Sequence, residues 1–168
     1  MAIESGAEAF IETGTFRGDS IRWVAKRYPL LSCLSCETNR VFYLWAKSQI
    51  RLKNVDIKLQ DSRRFLIDTL TGNSRYRKAV FWLDAHWDME WPLLDELRII
   101  KGSKVDAMVF VDDFDIGVNG FGFDSYKGQV LNLDYIRGVI GDAPISFPEY
   151  KPPHDQTRGY AIVRFGKS

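Results

Sequence analysis

The chain has 168 residues, the length of one domain, and 45% hydrophobic with 14% aromatic residues supply a sizeable core for a single unit spanning 1–168. Its 23 Lys and Arg stand against 22 Asp and Glu, a net charge of +1, so no nucleic-acid partner is expected. No apolar run approaches the ~18 residues of a membrane span, and the opening MAIESGAEAF lacks the charged-then-apolar order of a signal peptide; a cytoplasmic protein with no membrane partner is the expectation.

In chain order, AFIET (9–13) reads as a buried strand that runs into a glycine turn carrying Glu12, Gly14 and Gly18. Glycine permits a tight turn and a close approach of backbone to ligand. A helical pattern follows over 20–28, then the apolar strand LSCLSCE (31–37). Cys33 and Cys36 lie three apart on that strand and face opposite sides, so they read as core cysteines rather than a metal pair or a disulfide. Glu37 closes the strand 25 residues after Glu12, where dinucleotide folds place a ribose-binding acid. A carboxylate there can accept hydrogen bonds from both ribose hydroxyls.

The alternation continues: helix 40–52, strand 55–60, helix 62–70, strand 79–84, helix 92–100 and strand 107–113. Asp61 or Ser62 also suits the N-cap of its helix. Pro92 fits a first turn, and Gly102 sits just past a helix end. Repeated strand–helix units predict a parallel sheet with helices on both faces. Residues 114–128 read as a glycine- and aromatic-rich loop and 130–140 as a helix. The strands 145–150 and 160–165 read as an antiparallel pair closing the sheet edge. The fold class is therefore α/β: a Rossmann-like, doubly wound, mostly parallel seven-stranded sheet with an antiparallel C-terminal strand pair.

Every strand of the parallel run ends in an acid: Glu12, Glu37, Asp61, Asp84, and the pair Asp112 and Asp113. Ligands of open α/β sheets bind at these carboxyl ends. Phe16 occupies the place where a dinucleotide fingerprint wants a glycine, which argues for a cofactor without a pyrophosphate.

Five stretches carry a resemblance. They are the acid–glycine turn with Ser20 two residues after its last glycine, SCETN with Glu37, LQDSRRFL, FWLDAHWDMEW and FVDDF. Together they resemble the class I S-adenosylmethionine-dependent methyltransferases, and among these the metal-dependent catechol and macrocin O-methyltransferase-type branch. The resemblance implies that S-adenosylmethionine is held by Glu12, Gly14, Thr15, Gly18, Ser20, Glu37, Asp61, Ser62 and Asp84. It implies Mg²⁺ on Asp84, Asp112 and Asp113, and an acceptor oxygen on a small molecule or sugar. His86, with an unperturbed pKa near ~6.5, is the first candidate to take the acceptor's proton, and Asp88 the second. Trp87 and Trp91 read as packing residues and Arg63 and Arg64 as a solvated helix face.

Two other readings remain open at this point. One is a metal-independent methyltransferase whose acids bind substrate directly. The other is a cofactor-binding subunit or interaction module without catalysis. The first strand begins near residue 9, so cover for the cofactor cleft is expected from the loop 114–128, the loop 151–158, or a second chain in a homo-oligomer.

Overall fold

The computed structural model describes residues 6–71, 76–86, 91–148 and 157–166. In chain order the elements are β1 (Ala9–Thr13), α1 (Asp19–Arg27), β2 (Ser32–Glu37), α2 (Arg40–Gln49), β3 (Val55–Leu59), α3 (Ser62–Leu70) and β4 (Lys78–Leu83). They continue with α4 (Leu93–Gly102), β5 (Asp106–Val111), β6 (Ser125–Tyr126), β7 (Gln129–Val130), α5 (Leu133–Ile140), β8 (Ile145–Ser146) and β9 (Ala161–Phe165). Seven strands form one sheet in the order β3-β2-β1-β4-β5-β9-β8. The first five are parallel neighbours, as the strand–helix alternation predicts. Among the described residues no helix is long and apolar enough to cross a membrane.

The strands alternate their side chains between two cores, as a period of two requires. One core packs α3, α4 and α5 through Phe65, Leu97 and Ile136 against Ile11, Phe81 and Val109. The other packs α1 and α2 through Ile21, Val24 and Ala46 against Phe10, Ile57 and Val80. Cys33 belongs to the second core and Cys36 to the first; both are free and buried. The core-cysteine reading therefore holds.

The C-terminal strands pair antiparallel, with Ile145 opposite Val163. The sheet edge is nonetheless β8, because β9 inserts between β5 and β8 and alone runs against the parallel strands. Burial explains the order. β9 carries Ala161 and Val163, both fully buried, whereas β8 is two residues long with Pro144 before it and Pro148 two residues after it, a composition confined to edges. The 114–128 loop contains its own hairpin, β6–β7, turned by Lys127 and Gly128, both at positive φ. Pro92 caps α4 instead of sitting inside it, and Gly102 is its last residue.

Register places the site. Thr13 lies opposite Cys36 on one side and Leu83 on the other, and Leu83 lies opposite Val111. Four strands thus end at one level, and the chain reverses direction across the sheet between β1 and β4. Such a reversal opens a crevice at the carboxyl ends. Gly14 sits in it at φ +85, and a Cβ there would lie 2.6 Å from the Asp84 carbonyl oxygen. A Gly14→Ala substitution is expected to cost about 2 kcal/mol or more, from the left-handed backbone and the backbone clash together. For a chain of this size that is a fall of roughly 4–8 °C in thermal midpoint; an unchanged midpoint would contradict the close approach of β1 and β4.

Candidate active site

The turn after β1 is built from the inside out. Glu12 is fully buried at the end of β1 and accepts a hydrogen bond from the Ser35 hydroxyl on β2 at 2.7 Å. The Thr15 hydroxyl lies 2.6 Å from the Ser35 oxygen and donates to it, since Ser35 spends its own hydrogen on Glu12. Burial pushes the Glu12 pKa up to about 8; the Ser35 and Ser20 hydroxyls oppose that rise. Gly18 ends the turn at φ +77, with the Ile50 side chain where a Cβ would stand. Its backbone therefore seats the start of α1 directly against the end of α2.

Glu37 pins the turn from the neighbouring strand. One carboxylate oxygen accepts the Phe16 N–H and the other the Asn39 N–H, both at 2.8 Å. Phe16 has a left-handed backbone (φ 47), costly for a non-glycine residue, and its bond to Glu37 holds it there. Its ring packs on Phe42 at 4.5 Å. Each Glu37 oxygen retains a lone pair for another donor.

A cleft of about 690 Å³ opens above these groups, within the ~300–1,000 Å³ usual for small-molecule sites. Of the residues predicted to hold a cofactor, Gly14, Glu37, Ser62 and Asp84 line it. Glu12 and Thr15 are buried and do not line it, and neither do Gly18, Ser20 and Asp61. Asp61 is the N-cap of α3: it accepts from the backbone of Arg63 and Arg64 and pairs with the Arg63 guanidinium, which holds its carboxyl below the usual range. Phe16, Asn39, Phe42, Gln60 and His86 are also part of the wall; Asn39, Phe42 and Gln60 drew no notice in the sequence.

Beside the cleft, a second, small cavity gathers Asp84, His86, Asp112, Asp113 and Asp124. Asp84, Ala85 and His86 line both spaces. Burial lifts the Asp84 pKa to about 8, with Asp112 and Asp113 adding like-charge repulsion. Burial and Asp113 raise Asp112 to about 6. Ligand atoms of Asp84, His86 and Asp113 lie within 4.8 Å of one another, a spacing that could hold one metal ion. Asp112 stands outside that group. Asp113 adopts a left-handed backbone (φ 55), which turns consecutive side chains in different directions. Of the three acids that the resemblance implies for Mg²⁺, Asp84 and Asp113 belong to this group, with His86 as its third member.

His86 has its Nδ1 2.8 Å from the Tyr126 hydroxyl and its Nε2 4.0 Å from Asp84. Trp91 packs edge-on against Tyr126 and against Tyr135, a packing role as expected. Asp88 and Trp87 lie outside the described residues. Of the segments expected to cover the cleft, residues 151–156 lie outside the described residues, and neither 114–128 nor 157–158 lines it; the two segments meet at the acids instead, where the Gly122 N–H donates to the Thr157 carbonyl and Arg158 pairs with Asp113 and Asp124. Sequence reasoning missed Arg158, Asp124 and Tyr126, because each reaches the site from a loop far along the chain.

Glu96 was also missed, since an acid in the first turn of α4 looks like a partner for the helix dipole. It is fully buried, and burial raises its pKa to about 7. The Ser62 and Thr13 hydroxyls face it and draw the value back, though neither closes a hydrogen bond of ordinary geometry.

A larger cavity, about 1200 Å³, lies elsewhere, over Met108, Phe110 and Ile162 on β5 and β9. Among the described residues no acid cluster converges on it, so the strand-end cleft is the candidate site.

No protein-family model matches the sequence, and no curated protein matches it. Solved structures do. An O-methyltransferase from Bacillus cereus in complex with SAH aligns at TM-score 0.68 and 16% identity, over 96% of this chain and 76% of that one. A Staphylococcus aureus protein assigned as a caffeoyl-CoA O-methyltransferase aligns at TM-score 0.66 and 17% identity, over 98% and 78%. A Klebsiella pneumoniae protein assigned as an O-methyltransferase aligns at TM-score 0.67 and 16% identity, over 99% and 76%. The chain has the Rossmann-like fold of class I methyltransferases.

The raised acids fix a pH dependence. Glu12, Asp84 and Glu96 bind their protons more tightly folded than unfolded. Their stabilisation is complete below about pH 4 and is lost as pH rises to about 8. The thermal midpoint of the ligand-free protein is expected to fall between pH 5 and pH 8, and Glu12→Gln to flatten that fall. A midpoint that rises across the interval would contradict the burial of these carboxyls.

Proposed function

We propose that the chain is an S-adenosylmethionine-dependent methyltransferase that moves the methyl group to an oxygen of a small molecule or sugar, assisted by a divalent cation. The observation that carries this reading is the shared wall of Asp84 and His86 between the 690 Å³ cleft and the acid cavity. A donor in the first and an acceptor at the second would meet at the end of β4.

Glu37 is the residue for the ribose. Its carboxylate is already oriented by two backbone N–H groups, and its free lone pairs suit two hydroxyl donors. Phe16 and Phe42 give the cleft an apolar wall for an aromatic base, and Ser62 reaches it from α3. Methyl transfer from a sulfonium is an in-line displacement, so holding donor and acceptor aligned is the main contribution, worth up to ~7 kcal/mol or more.

The residues fit a divalent cation. Two carboxylates and an imidazole form a donor set suited to Mn²⁺, the carboxylates also to Mg²⁺, and Asp112 and Asp113 repel the charged form of Asp84. When bound, a cation lowers the pKa of an acceptor hydroxyl. In that case Asp84, His86 and Asp113 hold the ion, and the proton passes to another base, for which Asp88 is the sequence candidate. Without an ion, His86 is free to take the proton itself, relayed through Tyr126. The metal-independent reading draws support from Arg158, which already neutralises two of the acids.

Calorimetric titration is expected to give micromolar affinity for S-adenosylhomocysteine and none for NAD. Glu37→Ala is expected to weaken that affinity at least about tenfold, the scale of one lost charged hydrogen bond. Absent affinity, or a preference for NAD, would remove the methyltransferase reading. If the cation assists, a chelator stops turnover of an accepted substrate and leaves S-adenosylhomocysteine binding intact; full activity in excess chelator selects the metal-independent alternative.

A further inference from the structure

Two of the acids that line the small cavity already pair with a cation of the chain. The Arg158 Nε–H donates to Asp113 Oδ1 and its Nη2 to Asp124 Oδ1, while Nη1 lies 3.4 Å from the Phe123 carbonyl oxygen. The backbone aims this fork. On one side the Gly122 N–H donates to the Thr157 carbonyl at 2.9 Å. On the other, the Gly159 N–H donates to the Gly122 carbonyl at 2.8 Å and the Phe114 N–H to the Gly159 carbonyl at 2.9 Å. Residues 157 and 159 are thus tied down, and Arg158 has little choice of direction. Gly122 leaves the space its stem fills, since a Cβ there would stand 3.3 Å from Arg158 Cδ.

Asp113 consequently has two claims on it. One oxygen belongs to the guanidinium, while the carboxylate also belongs to the group of Asp84 and His86 that could hold an ion. An oxygen that accepts from a guanidinium is a poorer metal ligand, and a fixed positive charge next to the ion repels it. We propose that Arg158 sets the affinity of the acid site by competing with a divalent cation for Asp113. Ion binding opens the Arg158–Asp113 pair, and Asp124 keeps the guanidinium close enough to return when the ion leaves. The carboxylates then always have a counter-charge, and the ion stays exchangeable. This inference rests on the divalent-cation part of the proposed function.

The test is calorimetric titration of Mn²⁺ into the whole chain, for wild type, Arg158→Gln, Arg158→Met and Arg158→Lys, each first shown to be folded by its thermal midpoint. Removing the charge is expected to tighten Mn²⁺ binding about tenfold, the scale of a partly screened charge pair. Arg158→Lys keeps the charge without the fork and is expected to stay near wild type, which separates competition from mere positioning of Asp113. Either neutral variant carries the test if the other is unstable. Unchanged or weaker Mn²⁺ binding in the neutral variants overturns the inference, as does no ion binding in any of the proteins. S-adenosylhomocysteine titrated into the same samples reports separately: its failure to bind wild type sinks the donor reading, whatever the Mn²⁺ result.

Discussion

The contact on which the rest depends is between Gly14 and the Asp84 backbone. A side chain at residue 14 would occupy the position of the Asp84 carbonyl. Because residue 14 has none, the turn after β1 lies directly on the end of β4. Glu37 then fixes the outer side of that turn through Phe16 and Asn39. Asp84 is brought to the boundary between cleft and acid cavity by the same contact. The cleft and the acid cavity are adjacent because two strand ends touch.

That adjacency has an electrostatic cost. Four aspartates and His86 crowd a space partly withdrawn from water, and Asp84 responds by holding its proton to about pH 8. Burial also raises the pKa of Glu12 to about 8 and of Glu96 to about 7, deeper in the fold. A protein with stability as its only requirement would place amides or apolar groups at these positions. Retaining carboxyls there is understandable when a ligand adds hydroxyl donors at Glu37 and positive charge at Asp84. Arg158 supplies part of the charge from within the chain.

Much of this was legible in the sequence because it is local. The five parallel strands and four intervening helices follow from apolar periodicity. The opposite faces of Cys33 and Cys36 follow from the pleat, and the Asp61 cap from its position before an apolar helix. What was not legible is long-range. The insertion of β9 between β5 and β8 depends on which strand has more apolar surface to bury. Arg158, Asp124 and Tyr126 join the acids through loop pairing that no local pattern encodes. The grouping of His86 with Asp84 and Asp113 was also not legible, and neither was the left-handed backbone of Asp113 beside it. Glu96 was hidden by an ordinary role available to it at a helix start.

The methyl donor is expected in the strand-end cleft, against the wall shared with the acids. A crystal structure with S-adenosylhomocysteine and Mn²⁺ soaked together would decide it. Expected are ribose hydroxyls on Glu37, the base between Phe42 and Ser62, and the sulfur pointing toward Asp84, with the anomalous Mn²⁺ signal among Asp84, His86 and Asp113. Cofactor density in the larger groove over Met108 and Phe110, with the strand-end cleft empty, would contradict it.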